Sequence, residues 1–280
     1  MSDVLLVAHG SRDPRARTTV QHLAAAVRRR LPGRVVATCA LDLEAPSPRT
    51  ALVELARRGS PGVRVVPLLF APGYHVRVDL PREIAEAAAA SGRPAGDPAC
   101  LATLAPPLID VSDAQSSELL LDALDARAGP PIRRADALVL LAAGSSDDGA
   151  RAAVASLARS WGDRHGVPAS AAFATGPGPD PASAVVVARA GGAARVLAGS
   201  LFLAPGLLPD RAQAAAAVAG AKVAPVLGAV PALAELVARR AEPRARPHPR
   251  DDQGTSAPRA AEPLPAFDVM GRSSLIIAGG

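Results

Sequence analysis

The sequence predicts an α/β protein built from two tandem parallel-sheet units that face a central cleft. Three observations carry that prediction. Short apolar, β-branched runs alternate with longer alanine- and leucine-rich stretches of helical period, the rhythm of parallel strands joined by crossover helices. Two segments of the first half recur, in the same order, in the second. The 280 residues suit two domains better than one, at roughly 100 to 200 residues per domain.

The first strand is Val4-Leu5-Leu6-Val7-Ala8. A helix follows from about Pro14, with Val20, Leu23, Val27 and Leu31 on one face, and Pro32-Gly33 stops it. Further strands are expected near 34–41, 63–69 and 99–104, with helices near 48–58, 81–91 and 112–127. Pro81 suits a helix start, because its missing N–H would have no partner there.

The pattern then begins again. Ala8-His9-Gly10-Ser11-Arg12-Asp13 is echoed by Ala142-Ala143-Gly144-Ser145-Ser146-Asp147. Leu69-Phe70-Ala71-Pro72-Gly73 is echoed by Leu201-Phe202-Leu203-Ala204-Pro205-Gly206. These segments close the first and third strands of each copy, and both histidines of the first copy are missing from the second. Ala143 replaces His9, and Leu208 replaces His75. The expected units are 1–129, carrying the active site, and 130–240, a degenerate repeat, with turn chemistry at Gly129-Pro130-Pro131 between them. From about Ala241 the chain turns rich in proline and arginine and loses its apolar period, so 241–280 is expected to be a disordered tail.

Composition excludes several classes of function. Apolar residues make up 49% of the chain, but only four Phe, one Tyr and one Trp are aromatic, so the cores are aliphatic. Base stacking on nucleic acid has little to work with. The net charge of +5 comes almost wholly from arginine, since Lys222 is the single lysine. Cys39 and Cys100 stand far apart in apolar runs and read as core residues of a reduced, cytoplasmic protein. Asp3 stands where a secretion signal would carry positive charge, and Lys222, Pro225, Pro231 and Glu235 interrupt the alanine-rich stretch from 212 to 238, so no membrane span is expected. No G-x-x-x-x-G-K-[ST] phosphate loop is present.

In a parallel sheet, ligands bind beyond the carboxyl ends of the strands. His9 stands at the end of the first strand and His75 just past the third, so two imidazoles can face one cleft. Either alone reads as an ordinary loop histidine; together, within HGSRDP and APGYHVRVDLP, they read as a site. His22 is expected on an exposed helix face, His165 in a short loop and His248 in the tail.

At these residues the sequence resembles the sirohydrochlorin chelatases, the ATP-independent class II family that inserts a divalent metal ion into a modified tetrapyrrole. The segments LLVAHGSRDPRA and VVPLLFAPGYHVRVDLP match that family's pattern in type, order and spacing. The resemblance covers about residues 3–240, more weakly in the second half. It implies chelatase-like (flavodoxin-like) units and a lyase-type, cytoplasmic metal chelatase of sirohaem or cobalamin biosynthesis. It also implies that His9 and His75 bind the metal and that an acidic residue at the end of the second strand assists. Asp42 and Glu44 are both available there and point to the same side of an extended strand, because side chains alternate with period two; spacing favours Asp42, and Glu44 stays open.

The implied partners are sirohydrochlorin and Fe2+ or Co2+ as the substrate metal, with no permanently bound cofactor, no nucleic acid and no membrane; the chain is expected to be a monomer or homodimer. Imidazole suits borderline-soft ferrous and cobaltous ions, and two protein ligands leave coordination positions open for handing the metal on. Insertion removes two pyrrole N–H protons, which calls for a base that titrates near neutrality. The eight carboxylate arms of sirohydrochlorin call for guanidinium groups. Arg12, Arg15, Arg17 and Arg77 lie in or beside the motif loops, and Arg12 and Arg77 are the expected contacts. Ser11 and Tyr74 complete the expected substrate-binding set with Gly10 and Gly73, which let the backbone approach a flat macrocycle. Asp79 either orients His75 or caps the helix at Pro81.

Two rival functions remain at this point. A histidine phosphatase would need an arginine directly before its histidine, where Ala8 stands. A non-catalytic metal or tetrapyrrole carrier would bind without turnover.

Overall fold

The computed structural model of the chain describes residues 2–91, 102–110 and 112–242. Expectations about a strand start near 99, Cys100, His248 and the tail beyond 242 fall outside these residues. The described elements in chain order are β1 (Asp3–Ala8), α1 (Pro14–Arg28), β2 (Val36–Ala40), α2 (Pro48–Arg57), β3 (Val63–Pro67), α3 (Leu80–Ala90), β4 (Ala102–Leu104) and α4 (Ala114–Ala128). Then come β5 (Ala137–Ala142), α5 (Asp148–His165), β6 (Ala169–Phe173), α6 (Pro181–Ala190), β7 (Val196–Ser200), α7 (Leu207–Val218), β8 (Lys222–Val226) and α8 (Pro231–Ala241). A π-helical turn (His75–Asp79) precedes α3, and a 3-10 turn (Pro130–Arg134) joins the halves after Gly129, whose φ is +61°.

Each half builds one four-stranded sheet, ordered β2-β1-β3-β4 and β6-β5-β7-β8, with every pairing parallel. Strands β1 and β5 lie second from one edge and are apolar along their length because helices cover both faces. Pro225 sits in β8, an edge strand that can do without a ladder N–H. Proline opens α1, α2, α3, α6 and α8, and Asp13, Ser47, Asp113, Asp147 and Asp180 cap their helices by accepting backbone N–H groups.

Among the described residues, side-chain alternation splits the buried apolar side chains into three cores. Leu5 and Val7 of β1 face an outer core with Leu52, Leu55 and Leu80, while Val139 and Leu141 of β5 face its counterpart with Val185 and Ala216. The opposite faces, Val4 and Leu6 with Leu138 and Leu140, share one central core that also holds Leu23, Leu124, Trp161 and Leu233. Into it the last helix of each half crosses over: α4 packs on β7 and β8, and α8 packs on β3, α1 and α4.

Buried Arg240 of α8 fastens this crossover, donating to the carbonyls of Pro107 and Leu108 and, at 3.0 Å, to Asp113 Oδ2. The Ser116 hydroxyl, with Arg240 adding to it against the cost of burial, pulls the Asp113 carboxyl down to about 2. Farther along α4, Asp125 accepts from Trp161 Nε1 at 2.8 Å and pairs with His165 at 2.8 Å. His165 is therefore the last residue of α5 and part of the seam between halves, where the sequence reading had a loop. Helical period runs on to His165 because Gly166, at φ +66°, is the residue that ends the helix.

Candidate active site

The site lies at the carboxyl ends of β1 and β3. β1 delivers His9 into a loop whose path Gly10 fixes: its φ is +100°, and a Cβ there would fall 1.8 Å from the Asp42 carbonyl oxygen. The close approach that Gly10 permits is thus to the neighbouring loop's own backbone. Ser11 accepts the Asp13 N–H on its hydroxyl at 3.1 Å, and Asp13 starts α1. The loop after β3 turns at Gly73, whose carbonyl accepts from Val76 and Arg77, and enters the π-helical turn. Pro81 has no N–H to give to the preceding turn, so the α-ladder is interrupted there. The wide turn sets His75 and Asp79 side by side, with Nδ1 2.6 Å from Asp79 Oδ2.

Asp79 makes no capping bond to α3, so of its two expected roles the structure places it in the first, beside His75. A carboxylate on Nδ1 holds the proton there and leaves the Nε2 lone pair open. The rings of His9 and His75 meet edge to face, with centroids 4.9 Å apart. His9 is exposed and His75 half-exposed, so both imidazoles can be reached from solvent. Tyr74, beside them, is 63% exposed, and Leu207, at the matching position of the other half, is 68% exposed.

The two acidic candidates do not share a face. β2 ends at Ala40, and Leu43 takes φ 62°, so the extended strand that would align Asp42 with Glu44 is absent. This corrects the sequence reading, and period-two alternation fails because the chain turns at Leu43. Glu44 is committed on both oxygens, accepting the Ser11 N–H at 3.0 Å and Arg17 Nε at 2.7 Å. The carboxylate of exposed Asp42 accepts, among the described residues, one hydrogen bond, from the N–H of Leu43 at 2.7 Å, while the Asp42 N–H bonds to the His9 carbonyl and its carbonyl accepts from Glu44.

The arginines also separate. Arg12 is exposed and makes no hydrogen bond or ion pair with the described residues, Arg15 pairs with Asp13 and Asp210, Arg17 with Glu44, and Arg77 with Asp147. Asp147, Asp210 and Leu207 are the contributors that sequence reasoning missed. The repeat sets them opposite Asp13, Arg77 and Tyr74, but that alignment carries no sign of the contacts made between the halves. His22 is exposed on α1 as expected, and Cys39 is buried, its thiol pushed up to about 12 by desolvation.

The CbiX family model matches residues 3–97 and 137–244, which takes in both halves and both motif loops. The chain belongs to the CbiX family. Within this CbiX chain, 86 residues are 34% identical to a sirohydrochlorin cobaltochelatase of Sulfolobus acidocaldarius, spanning 31% of this chain and 68% of that one. The sirohydrochlorin chelatase SirB of Bacillus subtilis subspecies spizizenii, solved in complex with cobalt, superposes with a TM-score of 0.67 at 20% identity over 86% of this chain and 94% of SirB. SirB from Bacillus subtilis with Fe3+ gives 0.68 at 21% identity, with the same coverage of 86% and 94%. These structural likenesses show the two-unit α/β fold. Among the described residues no helix is long and apolar enough to cross a membrane.

Proposed function

We propose that this chain is a sirohydrochlorin chelatase: it inserts Fe2+ or Co2+ into sirohydrochlorin without ATP, in the reduced cytoplasm, with His9 and His75 receiving the metal. The observation that carries this reading is the touching imidazole pair, with His75 held by Asp79. Membership of the CbiX family and the name of the Sulfolobus relative support it.

Two imidazoles grip a borderline-soft dication, but leave most of its coordination sphere open, so ring nitrogens can take over as the protein ligands let go. In the overall step two pyrrole N–H bonds break, the metal bonds to the four ring nitrogens, and two protons leave. Imidazole released from the metal is free to take one of those protons, and the Asp79 carboxylate stabilises the resulting imidazolium at His75. Asp42, with its uncommitted oxygen, is the assisting carboxylate. Glu44 instead positions the loop, bracing Ser11 next to Gly10. Tyr74 and Leu207 give the flat ring an apolar seat from both halves, and Arg12 offers a guanidinium to a carboxylate arm.

Purified chain is mixed anaerobically with excess metal-free sirohydrochlorin and either Fe2+ or Co2+, without ATP, and the absorbance change to the metallated ring is followed. Many turnovers per protein above the spontaneous rate are expected. A single stoichiometric change would identify a carrier instead. Hydrolysis of simple phosphate monoesters that is lost in His9→Ala would identify a phosphatase, which Ala8 argues against.

A further inference from the structure

We infer that Arg15 and Arg77 receive carboxylate arms of the tetrapyrrole, and that Asp210 and Asp147 occupy those two cations until the arms displace them. The inference rests on the chelatase reading and names how the same site selects its substrate.

Two ion pairs join the motif segments of the first half to those of the second. Arg15, in the first turn of α1, donates from Nη2 to Asp13 Oδ2 and to Asp210 Oδ2, both at 2.6 Å. Arg77, in the π-helical turn, pairs with Asp147. The two contacts mirror each other. Arg77 and Asp210 each stand two places after the equivalent residues His75 and Leu208, and Asp147 is the equivalent of Asp13, the cap beside Arg15. The loops themselves adjoin, since a Cβ on Gly206 would lie 3.7 Å from Ser11 Oγ.

Polarity is the informative feature: the half with the histidines supplies both cations, and the half without them supplies both carboxylates. An aspartate and a carboxylate arm make the same charge-assisted bond to guanidinium, so one can replace the other. Exposed pairs of this kind are worth only about 0–1 kcal/mol, so exchange is easy. Arg15, Arg77 and Asp210 are all exposed and can move. Asp147 is tied to α5 through the Ala150 N–H at 2.8 Å, so on that side Arg77 swings and Asp147 stays. Arg15 lies in the first turn of the helix that follows the His9 loop and Arg77 stands two residues after His75, so both guanidinium groups belong to the segments that carry the imidazoles. A ring without arms has nothing with which to displace the aspartates.

The test is equilibrium binding of metal-free sirohydrochlorin to the full chain, read by quenching of the ring's fluorescence. Asp210→Asn removes the competitor and is expected to tighten binding roughly fivefold. Arg15→Ala and Arg77→Ala are each expected to weaken it about tenfold, and Asp210→Asn in the Arg15→Ala background to give no gain. The octamethyl ester of sirohydrochlorin should be indifferent to Asp210→Asn. Unchanged or weaker binding by Asp210→Asn, or a gain that survives Arg15→Ala, overturns the inference while leaving the chelatase reading intact. If the wild-type chain binds no sirohydrochlorin at all, both fall together.

Discussion

The loop from β1 to α1 and the loop from β5 to α5 follow one path. Gly10 and Gly144 stand at φ +100° and +99°, and a Cβ on either would fall 1.8 or 1.9 Å from a carbonyl oxygen, of Asp42 in one half and Thr175 in the other. Ser11 and Ser145 each accept a backbone N–H at 3.1 Å, from Asp13 and Asp147, and both caps have φ −80° and ψ 119°. The imidazoles, however, occur on one side alone. The residues that dictate the loop's shape are thus separate from the imidazoles to which the proposed function assigns the chemistry, and the second half has the first kind without the second. Its charge differs too, because it faces the cations of the first half with Asp147 and Asp210.

The largest effect that sharpens this comparison is on rate. His9→Ala or His75→Ala is expected to slow metal insertion about a thousandfold, with the thermal midpoint unchanged. Ala143→Ser, at the position of His9 in the other half, should stay within about twofold, since a buried or liganding role is absent there. Equal losses on both sides would erase the division of labour. Next comes stability. Gly10→Ala and Gly144→Ala should each cost about 2–3 kcal/mol in urea unfolding, because both force a Cβ into the left-handed region against a carbonyl. A cost in one half only would break the claim that the loops are built alike.

A smaller effect tests the positioning of His75, which has no counterpart at Leu208. Asp79→Asn should lower Co2+ affinity about tenfold in a spectroscopic titration while the fold melts normally. The smallest concerns acid. α4 is capped by Asp113, while its equivalent α8 begins after Val230 with no side-chain cap. The Asp113 carboxyl is lowered from 3.8 to about 2 in the folded chain, so the stability it supplies is present above about pH 4 and lost as pH falls toward 2. Asp113→Asn should flatten that part of the unfolding curve against pH. An unchanged slope would place the acid sensitivity elsewhere.

Much of the fold was legible because local rules and tertiary context agree. Val4–Ala8 as a strand, the helix after Pro14 and the helix after Pro48 all appear within a few residues of expectation. The repeat gave the second half its strands and made the absence of His9 and His75 there visible. Less legible were features that turn on one dihedral. Leu43 at φ 62° separates Asp42 from Glu44, and the π-helical turn brings Asp79 to His75. Neither leaves a mark in hydrophobic period. The crossover of α4 and α8 was hidden for another reason: their apolar faces fit either sheet, and only the finished core selects the partner.

By itself the sequence determined the strand and helix rhythm, the two loops that bear histidine, and the half to which they belong, since each follows from neighbours close along the chain. The tertiary structure alone decided which arginines are already paired, which carboxylate keeps an uncommitted oxygen, and which helix anchors the opposite half. Those outcomes depend on contacts such as Arg15 with Asp210, 195 residues apart. A pairing at that separation is set by how rigid elements come to rest against one another, and no local pattern encodes it.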